Sequence, residues 1–337
     1  PYQPELSEWL AGNPHMFNLG RIGFILTRSD GSTAVMEDLK NTKQVTDLWT
    51  GIITSTFELE GKKTEVVTAC HPQVDALGVN VKSELISTGQ LKIFFDFPCA
   101  DGKNMEMYLG DYEKQDAHSS VIEERTGNSV SVKRKMDDAE YHIVINWQSR
   151  AEFLSGDTIS SKHRFYLVPE GGNEIRFSAE FSTEKAKADL SADEIIAQSK
   201  NAWPEYWRSG AAIDLSGSND LRWMELERRI VLSQYLMKVN EAGSLPPQES
   251  GLVNNGWFGR FHFEMIWWHC VHYALWNRWD QIERTLQVYG NFLATSRQRA
   301  EKQGYIGVRW PKCTGDTDRE WPHIIHAMLI WQQPHPI

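Results

Sequence analysis

The stretch Gly251–Trp279 sets Trp257, Trp267, Trp268, Trp276 and Trp279 among His262, His269, His272, Arg260, Arg278 and Glu264. Flat rings can stack on an apolar ring face, while imidazole, guanidinium and carboxylate groups exchange hydrogen bonds with the hydroxyls around it. Any one of these residues on an amphipathic helix is as readily an ordinary core residue. Their crowding is what points to a polar pocket, and the ligand it fits is a sugar. Further on, Arg309, Trp310 and Lys312 combine a planar fork, a ring and a cation. Stacking and hydroxyl recognition are therefore expected of Trp257, His262, Glu264, Trp268, Arg309, Trp310 and Lys312.

Breaking a glycosidic bond takes an acid on the leaving oxygen and a second carboxylate as base or nucleophile. Glu264 is the candidate carboxylate of the first cluster. Asp316, Asp318 and Glu320 form a second acidic group on the loop after Arg309, and the alternative for them is a solvated loop capping the next helix. Arg309 could equally be a structural partner of that loop. Lys312 could hold an anionic sugar or a phosphate. His262 and His269 stand two helical turns apart, and His269 and His272 have the spacing of helical metal ligands. A continuous helix would turn Glu264 away from them, so hydroxyl recognition is preferred and no metal is expected. With no GxGxxG, Walker or GxSxG pattern in the chain, no cofactor is expected either.

The elements that must position these residues fall into two blocks. From about Asn18 to Ser182 the chain reads as β-branched and aromatic runs, at Ile52–Phe57, Glu65–Thr68, Leu91–Phe97, Ser129–Lys133, Tyr141–Trp147, His163–Val168 and Glu174–Phe181. Asp30-Gly31, Glu60-Gly61, Asp101-Gly102, Gly127-Asn128 and Gly171-Gly172 break them at hairpin spacing. That is a large antiparallel sandwich. After Thr183, Ser191 and Glu194 match a capping box that opens a linker helix, with Pro204 expected to interrupt it. From Asn219 the period becomes helical, with Leu221, Met224, Ile230, Val231, Tyr235 and Leu236 on one apolar face. Further helices are expected over Phe261–Asn277, Asp280–Gln303 and about Pro322–Trp331. The resulting division is a β-sandwich over 1–185, a linker over 186–217 and a helical domain over 218–337.

At 337 residues the chain suits two domains, and a net charge of -10 argues against a nucleic-acid partner, which demands a basic face. No apolar run reaches the roughly 20 residues of a membrane helix. Cys70, Cys99, Cys270 and Cys313 show no metal-site spacing and read as buried thiols. The chain begins at Pro1 with no leader pattern, which fits a processed N-terminus, so a periplasmic or secreted location is favoured over a cytoplasmic one.

Taken in order, the sandwich, the linker helix, NGWFGRFHFEMIWWH, QGYIGVRWPK and LIWQQPHPI resemble bacterial six-hairpin (α/α)6 toroid glycosidases of the glycoside hydrolase family 65-like type, which include maltose and kojibiose phosphorylases and trehalases. The family's Phe-Trp-Asp-Thr-Glu segment, which lines the sugar subsite, is similar to Phe261-His262-Phe263-Glu264; Glu264 matches its Glu and His262 departs from its Asp. Its Gly-Tyr-x-Gly-Ala-Arg-Tyr/Phe-Pro-Trp loop is similar to Gly304–Lys312, with Lys312 departing from its Trp. The resemblance implies a multidomain α and β fold: an N-terminal antiparallel β-sandwich (supersandwich), a linker helix and the first part of an (α/α)6 toroid. It also implies a glycosidase whose general acid comes from a later hairpin, with a phosphorylase, a polysaccharide lyase and a non-catalytic sugar-binding protein as alternatives. Two hairpins leave apolar faces uncovered, so the chain is expected to be truncated and to associate with the missing C-terminal part or with another copy.

Overall fold

The computed structural model describes residues 3–6, 16–100, 109–156, 162–185, 190–249, 259–315, 317–321 and 329–337. They form two compact units, one built on 18–99 and 110–207 and the other containing 208–337.

The first unit is a sandwich of two antiparallel sheets. Its strands are β1 (Arg21–Leu26), β2 (Lys40–Asp47), β3 (Ile52–Leu59), β4 (Lys62–Cys70), β5 (Ala76–Ser83), β6 (Leu91–Asp96), β7 (Ser119–Thr126), β8 (Ser129–Met136), β9 (Ala139–Gln148), β10 (Ala151–Ser155), β11 (Arg164–Pro169) and β12 (Glu174–Ser182), with a short turn of helix α1 (Glu84–Ser87) before β6. The larger sheet has eight strands in the order β2-β3-β4-β5-β12-β9-β8-β7, and the smaller has four, β1-β6-β11-β10.

Side chains alternate between the faces of a strand. In β9 this sends Tyr141, Ile143, Ile145 and Trp147 inward and Asn146 and Gln148 outward, and register then fixes the neighbours: Ile145 opposes Val130 of β8 and Ala179 of β12, and Trp147 opposes Phe177. The two inner faces meet through aromatic contacts, with Phe95 edge-on to Phe177 at 5.7 Å and Trp147 stacked on Phe153 at 6.0 Å. The runs read from sequence all lie on strands except for a residue or so at their ends. The strands β1, β2, β5, β7 and β10 carry weaker apolar alternation; β2, for instance, is exposed along nearly its whole length.

Helix α2 (Ala192–Ser209) opens on the expected capping box: Ser191 Oγ accepts from the Glu194 amide at 3.3 Å, and Glu194 accepts from the Ser191 amide at 2.8 Å. Contrary to expectation, the helix runs through Pro204. Proline removes one hydrogen bond of the ladder, and contacts with the sheet side offset that loss. Ile195 packs with Ile52, Ala69 and Ala76, Ser199 donates to the Thr50 carbonyl at 3.0 Å, and Trp207 Nε1 donates to the Leu48 carbonyl at 2.6 Å. Gly78 makes the close approach feasible, because a Cβ there would stand 2.8 Å from the Ala192 carbonyl and 2.9 Å from Ile195 Cβ.

The second unit contains α3 (Trp223–Glu241), β13 (Phe261–His262), α4 (Ile266–Leu275), α5 (Trp279–Asn291), α6 (Leu293–Lys302) and β14 (Cys313–Thr314). Three expectations need correction. The helix expected from Phe261 starts at Ile266, because Phe261 and His262 are extended and pair with Thr314 and Cys313. The helix expected over Asp280–Gln303 is broken at Phe292, whose backbone leaves the helical region at φ -100° and ψ 8° while its ring enters the core. On α3 the apolar face is not the buried one. Leu221 just before it is 82% exposed and Met224 59%, whereas Gln234 and Glu241 are buried, Gln234 accepting from the enclosed guanidinium of Arg278 at 2.7 Å. Of the helix expected near the C-terminus, 322–328 lie outside the described residues, and 329–337 are turns and irregular chain.

All four cysteines are free thiols; Cys70 is exposed, against the buried position expected. No helix among the described residues is long and apolar enough to cross a membrane.

Candidate functional site

The site is built on the short ladder between β13 and β14. Phe261 opposes Thr314, His262 opposes Cys313, and the Phe263 amide donates to the Lys312 carbonyl at 2.8 Å. Phe261 and Phe263 enter an aromatic core with Ile266, Val288, Tyr289, Phe292 and Trp310. The rings on one side anchor the strand, and the polar side chains are left to gather on the other. There Lys312 Nζ lies 2.7 Å from Glu264 Oε1, His262 Nδ1 lies 3.5 Å from the same oxygen, and Trp331 Nε1 donates to Oε2 at 3.2 Å.

Glu264 is buried, as are His262 and Lys312. Burial is the strongest single influence on its carboxyl and pulls the pKa upward. The contacts with His262 and Lys312 and their charges outweigh it and hold the group at about 2. Glu264 is therefore an ionised acceptor at any ordinary pH. Each of its oxygens already has a neighbour, yet a carboxylate has about four lone-pair sites in all, so acceptor capacity remains for ligand hydroxyls. A proton donor it is not.

His262 Nδ1 also lies 3.6 Å from Glu249 Oε2. Beyond it, His269 bonds to the Glu249 backbone, and its Nδ1 lies 3.5 Å from Glu241 Oε2 at the end of α3. Burial drives these two in opposite directions. The Glu241 carboxyl is pushed up to about 7 and the His269 imidazole down to about 4. The polar line thus runs from Lys312 through Glu264, His262, Glu249 and His269 to Glu241, with charge concentrated at its Lys312 end.

The remaining expected residues divide. Trp268 is 57% exposed on α4, with its ring 6.3 Å from that of Trp331, which is itself 46% exposed; the two form a half-open aromatic wall beside Glu264. Trp310 is buried, stacked against Phe263 at 5.7 Å and edge-on to Tyr289 at 5.0 Å, and its backbone is clasped by Gln333 on both sides at 2.8 Å. Its ring serves the core. Arg309 donates to both oxygens of Glu320 at 2.8 and 2.9 Å. Arg299 from α6 donates to the Arg309 carbonyl at 3.0 Å and to the Asp318 carbonyl at 2.7 Å, and lies 3.4 Å from the Asp318 carboxylate. The acidic loop is thereby tied down by two arginines. Trp257 and Asp316 lie outside the described residues. His262 is on a strand, so its two-turn spacing from His269 does not apply, whereas His269 and His272 do share α4.

Sequence reasoning missed Trp331, Glu249 and Glu241 as neighbours of these groups. Trp331 had a signal, since it belongs to the aromatic LIWQQPHPI run. Nothing in the local sequence marks Glu249 or Glu241, which are brought in by chain folding alone.

No family model matches the chain, and no curated protein matches it in sequence. Among solved structures, a protein assigned as a kojibiose phosphorylase from the human microbiome is similar over 92% of this chain and 43% of its own, at 12% identity and a TM-score of 0.63. A bacterial glucoamylase complexed with acarbose is similar over 91% of this chain and 48% of its own, at 10% identity and a TM-score of 0.57. The chain thus has the fold of part of these structures, a large antiparallel β region followed by helices, and spans less than half the length of either.

Proposed function

We propose that the chain belongs to a carbohydrate-active enzyme that cleaves a glycosidic bond, with the saccharide held against Glu264 and the Trp268–Trp331 wall. The observation that carries this reading is a buried carboxylate, paired to Lys312 at 2.7 Å, standing next to half-exposed indoles. Rings take the apolar face of a pyranose, and an ionised carboxylate accepts from its hydroxyls. In this role Glu264 also stabilises the positive charge that develops on the sugar ring as the bond breaks. His262 and Lys312 position and charge it. Arg309 and Glu320 support the loop that carries Lys312. Proton donation falls to a later hairpin, as the resemblance implies.

Hydrolysis is favoured over phosphorolysis because the Lys312 ammonium is already engaged with Glu264. The proposed division is a sandwich over 1–185, a connecting helix over 186–217 and a helical portion over 218–337 that begins an (α/α)6 toroid. Trp267, Leu275 and Trp279, each more than half exposed, support association with further helices or with another copy. A periplasmic or secreted location remains part of the proposal.

The test is a panel of aryl glycosides and α-linked disaccharides offered to the natural full-length protein, with and without inorganic phosphate. Sugar release that falls at least about 100-fold in Glu264→Gln, with folding unchanged, supports the reading. Turnover only with phosphate reverses the choice of hydrolysis, and absence of turnover across the panel overturns the enzymatic reading.

A further inference from the structure

The eight-stranded sheet has an outer face, and part of it is a row of polar side chains in register. Thr126 opposes Ser129, Ser129 opposes Asn146, and Asn146 opposes Ser178; beside this row Gln148 opposes Arg176, which opposes Asn80. Residues paired across antiparallel strands share a face, so side chains from β7, β8, β9, β12 and β5 form one continuous polar strip. The strip is not flat. Thr126, Ser129, Asn146, Gln148 and Arg176 of the strip, with Ser191 ahead of α2, line a concavity of about 300 Å³, at the lower end of the size range of small-molecule clefts.

Its hydrogen bonding is incomplete in a particular sense. Asn146 Nδ2 is turned to the Leu190 carbonyl at 3.5 Å, which leaves Oδ1 buried without a partner. Gln148 Oε1 is buried and without a partner as well. A buried acceptor left unmade is costly, so the strip calls for donors. Arg176, the cation of the strip, is already engaged by Glu174 at 2.9 Å and Asp193 at 3.3 Å. The concavity therefore has no free positive charge to hold a phosphate or a carboxylate. Strands β8, β9 and β12 are paired on both sides, which closes them to an added peptide strand.

We propose that this concavity is a second saccharide-binding site, carried by the sandwich and separate from the Glu264 cluster. A small rotation of the two amides brings Asn146 Oδ1 and Gln148 Oε1 to the concavity, where a neutral sugar supplies them with hydroxyl donors while its own oxygens accept from Arg176 and Ser129. The space admits about one or two rings. Such a site holds a polymeric or oligomeric substrate without taking part in bond cleavage.

The test is an NMR titration of the whole protein with maltose, reading the side-chain amides of Asn146 and Gln148, each assigned by the signal lost in Asn146→Ala or Gln148→Ala. Both signals should shift with one dissociation constant, inorganic phosphate should move neither, and Gln148→Ala should weaken the shift of Asn146 about ten-fold. The shifts should persist in Glu264→Gln, which separates this site from the one proposed above. Signals that stay still as maltose is added, that respond to phosphate alone, or that keep full affinity in a folded Gln148→Ala variant overturn the proposal.

Discussion

Replacing Lys312 by Met tests how much of the helical unit's stability resides in one buried pair. The Lys312 side chain is 5% exposed and that of Glu264 is 10%, at a separation of 2.7 Å. Removing one member leaves a carboxylate that has lost its principal cation, a loss of about 3–5 kcal/mol at buried sites. A second route gives a similar figure. A carboxyl held at about 2 rather than the ordinary 4.5 carries about 3 kcal/mol at 1.36 kcal/mol per pH unit, an upper value for Lys312 because His262 shares in the depression and solvent reaches the carboxyl's outer edge. Lys312→Met should therefore cost about 3 kcal/mol at pH 7, in urea unfolding followed by tryptophan fluorescence. Glu264→Gln with Lys312→Met should be less destabilised than the sum of the single variants, by at least about 1.5 kcal/mol. The pH dependence has a definite sign. Because the folded pKa of Glu264 is depressed, its contribution is complete above about 4.5 and is lost as pH falls through about 2. The gap between wild type and Lys312→Met should narrow over that window. A coupling energy below about 0.5 kcal/mol at pH 7 would place the pair with exposed ion pairs and refute the argument.

Glu241 should behave in the opposite way. Burial raises its carboxyl to about 7, so stability is full below about 4.5 and declines as pH rises through about 7; Glu241→Gln should stabilise the protein by about 2 kcal/mol at pH 8 and leave its melting temperature unchanged at pH 4. Trp310→Ala should cost about 3–5 kcal/mol as a core truncation, whereas Trp268→Ala should leave stability within about 0.5 kcal/mol and weaken saccharide binding; calorimetry with maltose and thermal melts on the same samples separate the two. Gly78→Ala should cost about 1–3 kcal/mol, because its Cβ meets backbone of α2 rather than a movable side-chain tip, with the loss seen as increased proteolysis within Ala192–Ser209.

The sandwich was legible because its strands alternate and its turns are punctuated by glycine; β9, with Tyr141, Ile143, Ile145 and Trp147 inward, is the clearest case. Exposed β2 lacked that contrast. The helical unit was harder to read. Phe261–His262 has an aromatic and helical context, yet it is a strand, since its partner Cys313–Thr314 lies far along the chain and local propensity cannot register it. Pro204 suggested a stop that sheet contacts override. Within the site, Glu264, His262 and Lys312 were identified in advance and are brought together. Arg309 and Trp310 were chosen for the same chemical reasons, but a fork and a ring serve a loop or a core as well as they serve a ligand. Only burial distinguishes those uses, and burial is a tertiary property.

The two-residue pairing of β13 with β14 turns everything from Phe263 to Lys312 into a closed excursion whose ends are stitched together. Closing a loop of roughly 50 residues carries an entropic cost of about 3.5 kcal/mol from its length alone, and α4, α5 and α6 lie inside it. Glu264 and Lys312 sit just within the stitch, so their meeting carries that closure cost unless the three helices have already shortened the span. The ion pair is in effect a clasp on the excursion. The exposed tip at Tyr305–Ile306 lies within the excursion. A chain severed there would still have both of its pieces secured at the clasp, making this the natural place to divide the molecule into two complementing fragments.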